Sequence, residues 1–130
     1  LDALTWIKDI GGIDASIQRS NENLLVIEHW VGHSYWADFL AKVPDTRSNT
    51  SICLQIVDPW FRSLAKVDQA AIPKKIESIL EENSAAFDIN GYRDAPPGLR
   101  IWGGATVEVD DISALLPWLD WAYEEVKSSY

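Results

Sequence analysis

The stretch Tyr92 to Gly104 reads YRDAPPGLRIWGG and carries two of the chain's five arginines, Arg93 and Arg100, on either side of a Pro-Pro-Gly corner. A guanidinium binds carboxylate or phosphate through paired parallel hydrogen bonds, so two of them at a fixed separation suit a small dianion with distinct ends. Pro96 and Pro97 fix two φ angles and bias Ala95 and Pro96 toward extended geometry, leaving Gly98 to turn into the segment that follows. Tyr92 adds a neutral hydroxyl donor beside Arg93. The competing expectation is an ordinary surface contact, with Arg93 paired to Asp94, Asp88 or another of the twenty acids.

Other residues with chemical potential carry less. His29 and His33 have the four-residue spacing of zinc ligands on a helix, but Gly32 falls between them at the expected helix end and no third ligand is placed, so no metal site is expected. Cys53 alternates into a strand without a histidine partner and reads as a small buried side chain rather than a nucleophile. Gly103 and Gly104 lack the GxGxxG spacing of a phosphate loop and point instead to a close backbone approach or a bulge.

These groups need elements to hold them. Leu1 to Ile10 reads as the tail of a helix, and Gly11-Gly12 separates it from a second helix over Ile13 to Val31, whose stripe is Ile13, Ile17, Leu24, Ile27 and Val31. Trp36 to Leu40 is a short extended segment, followed by a loop over Pro44 to Asn49. SICLQIVDP, Ser51 to Pro59, alternates with Ile52, Leu54 and Ile56 on one face and stops at Asp58-Pro59. A helix is expected from Ile72 to Glu82 with Pro73 in its first turn. Strands are expected over Ala85 to Ile89 and Leu99 to Glu108. The last helix, Ile112 to Lys127, is expected to take an N-cap and first-turn negative charge from Asp110-Asp111, with Leu115, Leu116, Trp118, Leu119 and Ala122 mostly inward and a kink at Pro117. In the Leu99 to Glu108 strand, alternation sends Leu99 and Ile101 toward the helices and Arg100 to the opposite face beside Trp102. The fold class is α+β: a two-layer domain with a small mixed or antiparallel sheet and helices mainly on one face.

The bulk properties bound the function. With 130 residues, 47% of them hydrophobic, one domain with one core is expected. A net charge of −9 repels a phosphate backbone, which excludes nucleic acid as an expected partner. The apolar runs are too short for a membrane span, nothing resembles a signal peptide, and the lone Cys53 forms no internal disulfide, so a soluble, reducing, cytoplasmic setting is expected. The seven tryptophans are scattered and suit either a meeting surface or a core with large rings. The absence of methionine, together with a start inside an apparent amphipathic helix (Leu1, Leu4, Ile7), suggests a piece of a longer protein.

YRDAPPGLRIWGGATVE, DTRSNTSICLQIVDP and LPWLDWAYEEVK together resemble the C-terminal part of phosphoserine aminotransferase, a fold-type I, pyridoxal-phosphate-dependent family. The resemblance implies that residues 1–12 end a helix leaving a large domain, and that residues 13–130 form the C-terminal small domain. It further implies a homodimer that moves an amino group between glutamate and 3-phosphohydroxypyruvate in serine biosynthesis, with similar enzymes serving pyridoxine synthesis. Arg100 matches the family arginine that binds the substrate α-carboxylate. Tyr92-Arg93 matches a His-Arg pair that in the family contributes to the phosphate site from the partner subunit, with tyrosine in place of histidine and one extra residue before Arg100. The Schiff-base lysine belongs to the large domain, so no catalytic residue is expected in this chain. On that reading Lys42, Lys66, Lys74, Lys75 and Lys127 are surface charges and the chain alone is inactive. Two other readings stay open: a free-standing regulatory or ligand-binding module for anionic amino acids, and a protein interaction module using the tryptophans.

Overall fold

The computed structural model describes residues 2–130, and Leu1, counted above in the first helix, lies outside them. The chain runs through helices α1 (Asp2–Asp9) and α2 (Gly12–His33), strand β1 (Ala37–Phe39), a single 3-10 turn (Pro44–Thr46), strand β2 (Ser51–Ile56), helices α3 (Pro59–Ser63) and α4 (Lys66–Glu82), strand β3 (Gly98–Trp102) and helix α5 (Val109–Ser128). The strands form one antiparallel sheet in the order β1-β2-β3. This is the expected α+β domain, with an antiparallel rather than mixed sheet.

Alternation in the strands sorts the side chains. Ala37, Phe39, Ile52, Leu54, Ile56, Leu99 and Ile101 are each at most 5% exposed and join Ile27, Ile72, Ile76, Leu80, Leu119 and Tyr123 from the helices in one core. The SICLQI reading of β2 therefore holds residue by residue, its burial alternating along the strand. The break between α1 and α2 is a backbone requirement: Gly11 and Gly12 sit at φ 113° and 84°, a region that L side chains avoid.

Several expectations yield to tertiary packing. On α2 the first two residues of the expected stripe are outside, Ile13 at 73% and Ile17 at 51% exposure. The buried residues are Ser20, Asn23 and Ile27, because Asn23 must face the turn after β3. Its Nδ2 donates to the carbonyls of Gly103 and Val107, each at 3.0 Å. Helix α4 begins six residues before Ile72, so Pro73 lies in its interior rather than its first turn. The line Gln69, Ile72, Pro73, Ile76, Leu80 is buried, and Gln69 Nε2 ties the early turn to the Leu64 carbonyl at 2.9 Å. That burial outweighs the hydrogen bond lost at proline. Helix α3, unanticipated, is capped by Asp58, whose side chain accepts from Trp60 N.

Residues 85–89 are not a strand: Asp88 takes φ 53°, which breaks extension, and only Asn90 bridges to Leu99. Strand β3 ends at Trp102 instead of Glu108, since Asn23 pins the chain in a tight turn at 103–107. A Cβ on Gly103 would come within 2.8 Å of Ile52 Cδ1, which supports the close-approach reading of the glycine pair. Helix α5 starts at Val109 with Glu108 at its N-cap and no side-chain cap bond, so Asp110 and Asp111 occupy the first turn instead of capping it. Within α5, Leu116, Leu119 and Ala122 point inward as expected, whereas Trp118 is 39% exposed. No helix among the described residues is long and apolar enough to cross a membrane.

Candidate functional site

Gly98 sets the position of everything that follows it. A Cβ there would fall 2.0 Å from the Leu54 carbonyl oxygen, so only glycine lets the Pro-Pro corner enter β3 flush against β2. Two residues on, Arg100 stands opposite Cys53 in the register and leaves the sheet on the face away from the core. Its amide donates to the Ile89 carbonyl at 2.8 Å, which fastens the 88–90 segment beside it.

The Arg100 side chain is enclosed on two sides. Its Cζ lies 4.8 Å from the Tyr92 ring centroid, and its Nη2 donates to Asp88 Oδ2 at 3.0 Å. Tyr92 is in turn held by a 2.8 Å hydrogen bond between its hydroxyl and Ser51 Oγ on β2. The Ser51 hydroxyl first, and then Arg100, lower the Tyr92 pKa below the usual phenol value. Interaction with Tyr92, helped by the Asp88 charge, raises that of Arg100, which stays a cation at any working pH. The guanidinium faces a cavity of about 440 Å³ whose wall includes Ser51, Phe87, Asp88, Tyr92 and Trp102.

The structure thus brings together Tyr92 and Arg100 from the expected set. Arg93 stands in the exposed turn after Tyr92, outside the cavity wall, with no hydrogen bond or ion pair to another described residue. The acid offered as a partner for Arg93, Asp88, pairs with Arg100 instead. Trp102 lies on the same open face, 59% exposed, but the ring under the guanidinium belongs to Tyr92. Ser51 and Asp88 were not singled out for the site by sequence, because their roles depend on pairing across the sheet and on a backbone turn. Cys53 is half-buried on the open face, not in the core; its Sγ lies 3.8 Å from the Ser51 carbonyl.

The His29 and His33 rings lie 4.7 Å apart and tilted by 49° at exposed positions on α2, and among the described residues no group of three or more His, Cys, Asp or Glu is arranged to hold a metal. Lys127 is not a plain surface charge. Its Nζ donates to the buried Asp58 at 2.7 Å and lies over the Tyr35 and Trp60 rings, at 5.1 and 5.5 Å from their centroids. Among the described residues no lysine lines the Arg100 cavity. The residues around it therefore do not fit the imine linkage that pyridoxal phosphate requires, and no step of cofactor chemistry is assigned to this chain.

The fold matches about a third of each of two solved phosphoserine aminotransferase structures. It superposes on a phosphoserine aminotransferase from Bacillus circulans subsp. alkalophilus with a TM-score of 0.72 at 19% identity, covering 93% of this chain and 30% of that one. A structure described as radiation damage of the Schiff base in phosphoserine aminotransferase superposes at 0.70 and 20% identity, over the same shares. In sequence the chain is similar to phosphoserine aminotransferases over nearly its whole length. It is 43% identical to that of Methanosarcina mazei and 42% identical to that of Methanosarcina barkeri, each over 98% of this chain and 32% of the relative. A putative phosphoserine aminotransferase of a Mycobacterium is 28% identical over 96% of the chain. The chain spans about a third of the length of the curated relatives it matches. No family model matches it.

Proposed function

We propose that this chain is the C-terminal small domain of a phosphoserine aminotransferase, with residues 1–12 ending the helix from the large domain. In the whole homodimeric enzyme Arg100 binds the α-carboxylate of glutamate and of 3-phosphohydroxypyruvate, which orients the substrate over pyridoxal phosphate held mainly by the large domain. Arg93, free of partners in its exposed turn, reaches the substrate phosphate, and Tyr92 holds the Arg100 guanidinium from below and hydrogen-bonds through its hydroxyl. The chain alone is inactive, since it contributes positioning and not the amine that carries the chemistry. The cell uses the reaction in serine biosynthesis, and in pyridoxine synthesis where the substrate range allows, in the cytoplasm.

The observation that carries this reading is the placement of Arg100: a guanidinium leaving the open face of the sheet into a cavity, held from one side by an aromatic ring and met at only one nitrogen by an acid. The test is kinetic, on the full-length protein with glutamate and 3-phosphohydroxypyruvate. Arg100→Lys keeps the charge and loses the fork, a change of on the order of 2 to 4 kcal/mol in transition-state binding, so kcat/KM falls roughly thirty- to a thousandfold. Unchanged kinetics reject the carboxylate role. Arg93→Ala weakens phosphorylated substrates selectively, and equal losses for analogues without the phosphate reject that role.

A further inference from the structure

Asp88 is an odd partner for a substrate-binding arginine. Its backbone adopts φ 53°, a conformation in which few residues besides glycine, asparagine and aspartate are at ease. The two residues that follow it are fastened to β3, by the bond from the Arg100 amide to the Ile89 carbonyl and by the bridge between Asn90 and Leu99. The carboxylate therefore reaches the guanidinium because the backbone delivers it, not because a flexible loop has wandered in. Yet its side chain is 87% exposed and uses only one guanidinium nitrogen, at 3.0 Å. Among the described residues it accepts no other hydrogen bond. Asp111 lines the same cavity without bonding to Arg100.

An exposed, single-point ion pair is weak, while a substrate carboxylate can take two parallel bonds on the fork. We propose that Asp88 is a displaceable counter-anion: it occupies the Arg100 guanidinium and keeps it aimed at the cavity until a substrate carboxylate takes its place. This makes it a positioning residue that competes with the substrate, so that an anion must offer paired hydrogen bonds to win the seat. The inference rests on the reading of Arg100 as the carboxylate anchor.

Asp88→Asn tests it in the full-length enzyme, because asparagine keeps both the shape and the tolerance for positive φ and loses only the charge. Asp88→Gly is the second variant, free of the side chain and equally at ease at φ 53°. Both are expected to lower KM for glutamate and for 3-phosphohydroxypyruvate by roughly two- to fivefold, the size of an exposed pair, with kcat moving less than KM. A KM that stays the same or rises in both variants, while Arg100→Lys is impaired as described, overturns the counter-anion and leaves the anchor standing. An Arg100→Lys enzyme with unchanged kinetics overturns the anchor and this inference together.

Discussion

Two clusters of nearly the same composition sit in opposite surroundings. In one, Asp58 accepts from the Tyr123 hydroxyl at 2.8 Å, Lys127 Nζ at 2.7 Å and the Trp60 amide at 3.0 Å, and it is 4% exposed. In the other, Asp88 meets Arg100 at 3.0 Å beside Tyr92, and its carboxylate is almost wholly in water. An aspartate, a cation and a tyrosine make both. Burial separates them. Trp36 stacks on Tyr123 at 4.3 Å, and with Lys127 across the aspartate the first cluster locks α3 to α5. The Asp58 carboxylate and the Tyr123 hydroxyl have almost no water to fall back on, so the bonds between them matter to folding. In the second cluster the aspartate keeps water as an alternative, its side chain 87% exposed against 6% for Asp58, and so the cation beside it can exchange this anion for another at little cost.

If that contrast is right, the largest effect belongs to Asp58→Ala. It removes the α3 cap and strands Lys127 and the Tyr123 hydroxyl, and it should cost about 3 kcal/mol in denaturant unfolding of the chain. A loss below about 1 kcal/mol would dissolve the distinction between the two clusters. The same carboxylate also shapes acid stability. Burial works to raise its pKa, but the hydrogen bonds from Lys127, Tyr123 and Trp60 win and lower it beneath the usual 3.8. A lowered folded-state pKa means that the unfolded chain binds the proton more readily. The contribution is thus complete above about pH 4 and is lost as pH falls through the folded value. Asp58→Asn should flatten the stability profile across that acid window, as followed by denaturant unfolding at a series of pH values.

The sequence carried the parts of this contrast that depend on local pattern. SICLQI announced β2 by strict alternation, and the same rule placed Arg100 on the open face between Leu99 and Ile101. The Pro-Pro-Gly corner was legible as a stiff entry to β3, although the closeness of Gly98 to the Leu54 carbonyl was not. What failed were features set by partners far away in the chain. The end of β3 depends on Asn23, some eighty residues upstream, and the early start of α4 depends on burial of Gln69 and Ile72 against the core. Lys127 looked like any surface lysine, because nothing near it in sequence points to Asp58. The site was half legible for the same reason: the residue types at Tyr92, Arg93 and Arg100 suggested anion binding, but the partnering of Asp88 with Arg100 instead of Arg93 follows from a positive φ that no periodicity reveals.

The two tyrosines give the finest comparison, since one oxygen atom is removed from each. Tyr123→Phe takes a donor from a buried carboxylate that keeps its other two bonds, and burial with the Asp58 hydrogen bond is also what pushes the Tyr123 pKa above the usual phenol value. The expected cost is about 1 to 2 kcal/mol in unfolding. Tyr92→Phe removes the exposed bond to Ser51 and the hydroxyl's interaction with Arg100 but leaves the ring beneath the guanidinium, so the stability change should stay within about 0.5 kcal/mol. Its effect should appear in substrate KM, through a looser ring under the guanidinium, and not in unfolding. Equal destabilisation by the two substitutions would mean that the open cluster is built into the fold as firmly as the buried one, and Arg100 would then have no freedom to trade Asp88 for a substrate.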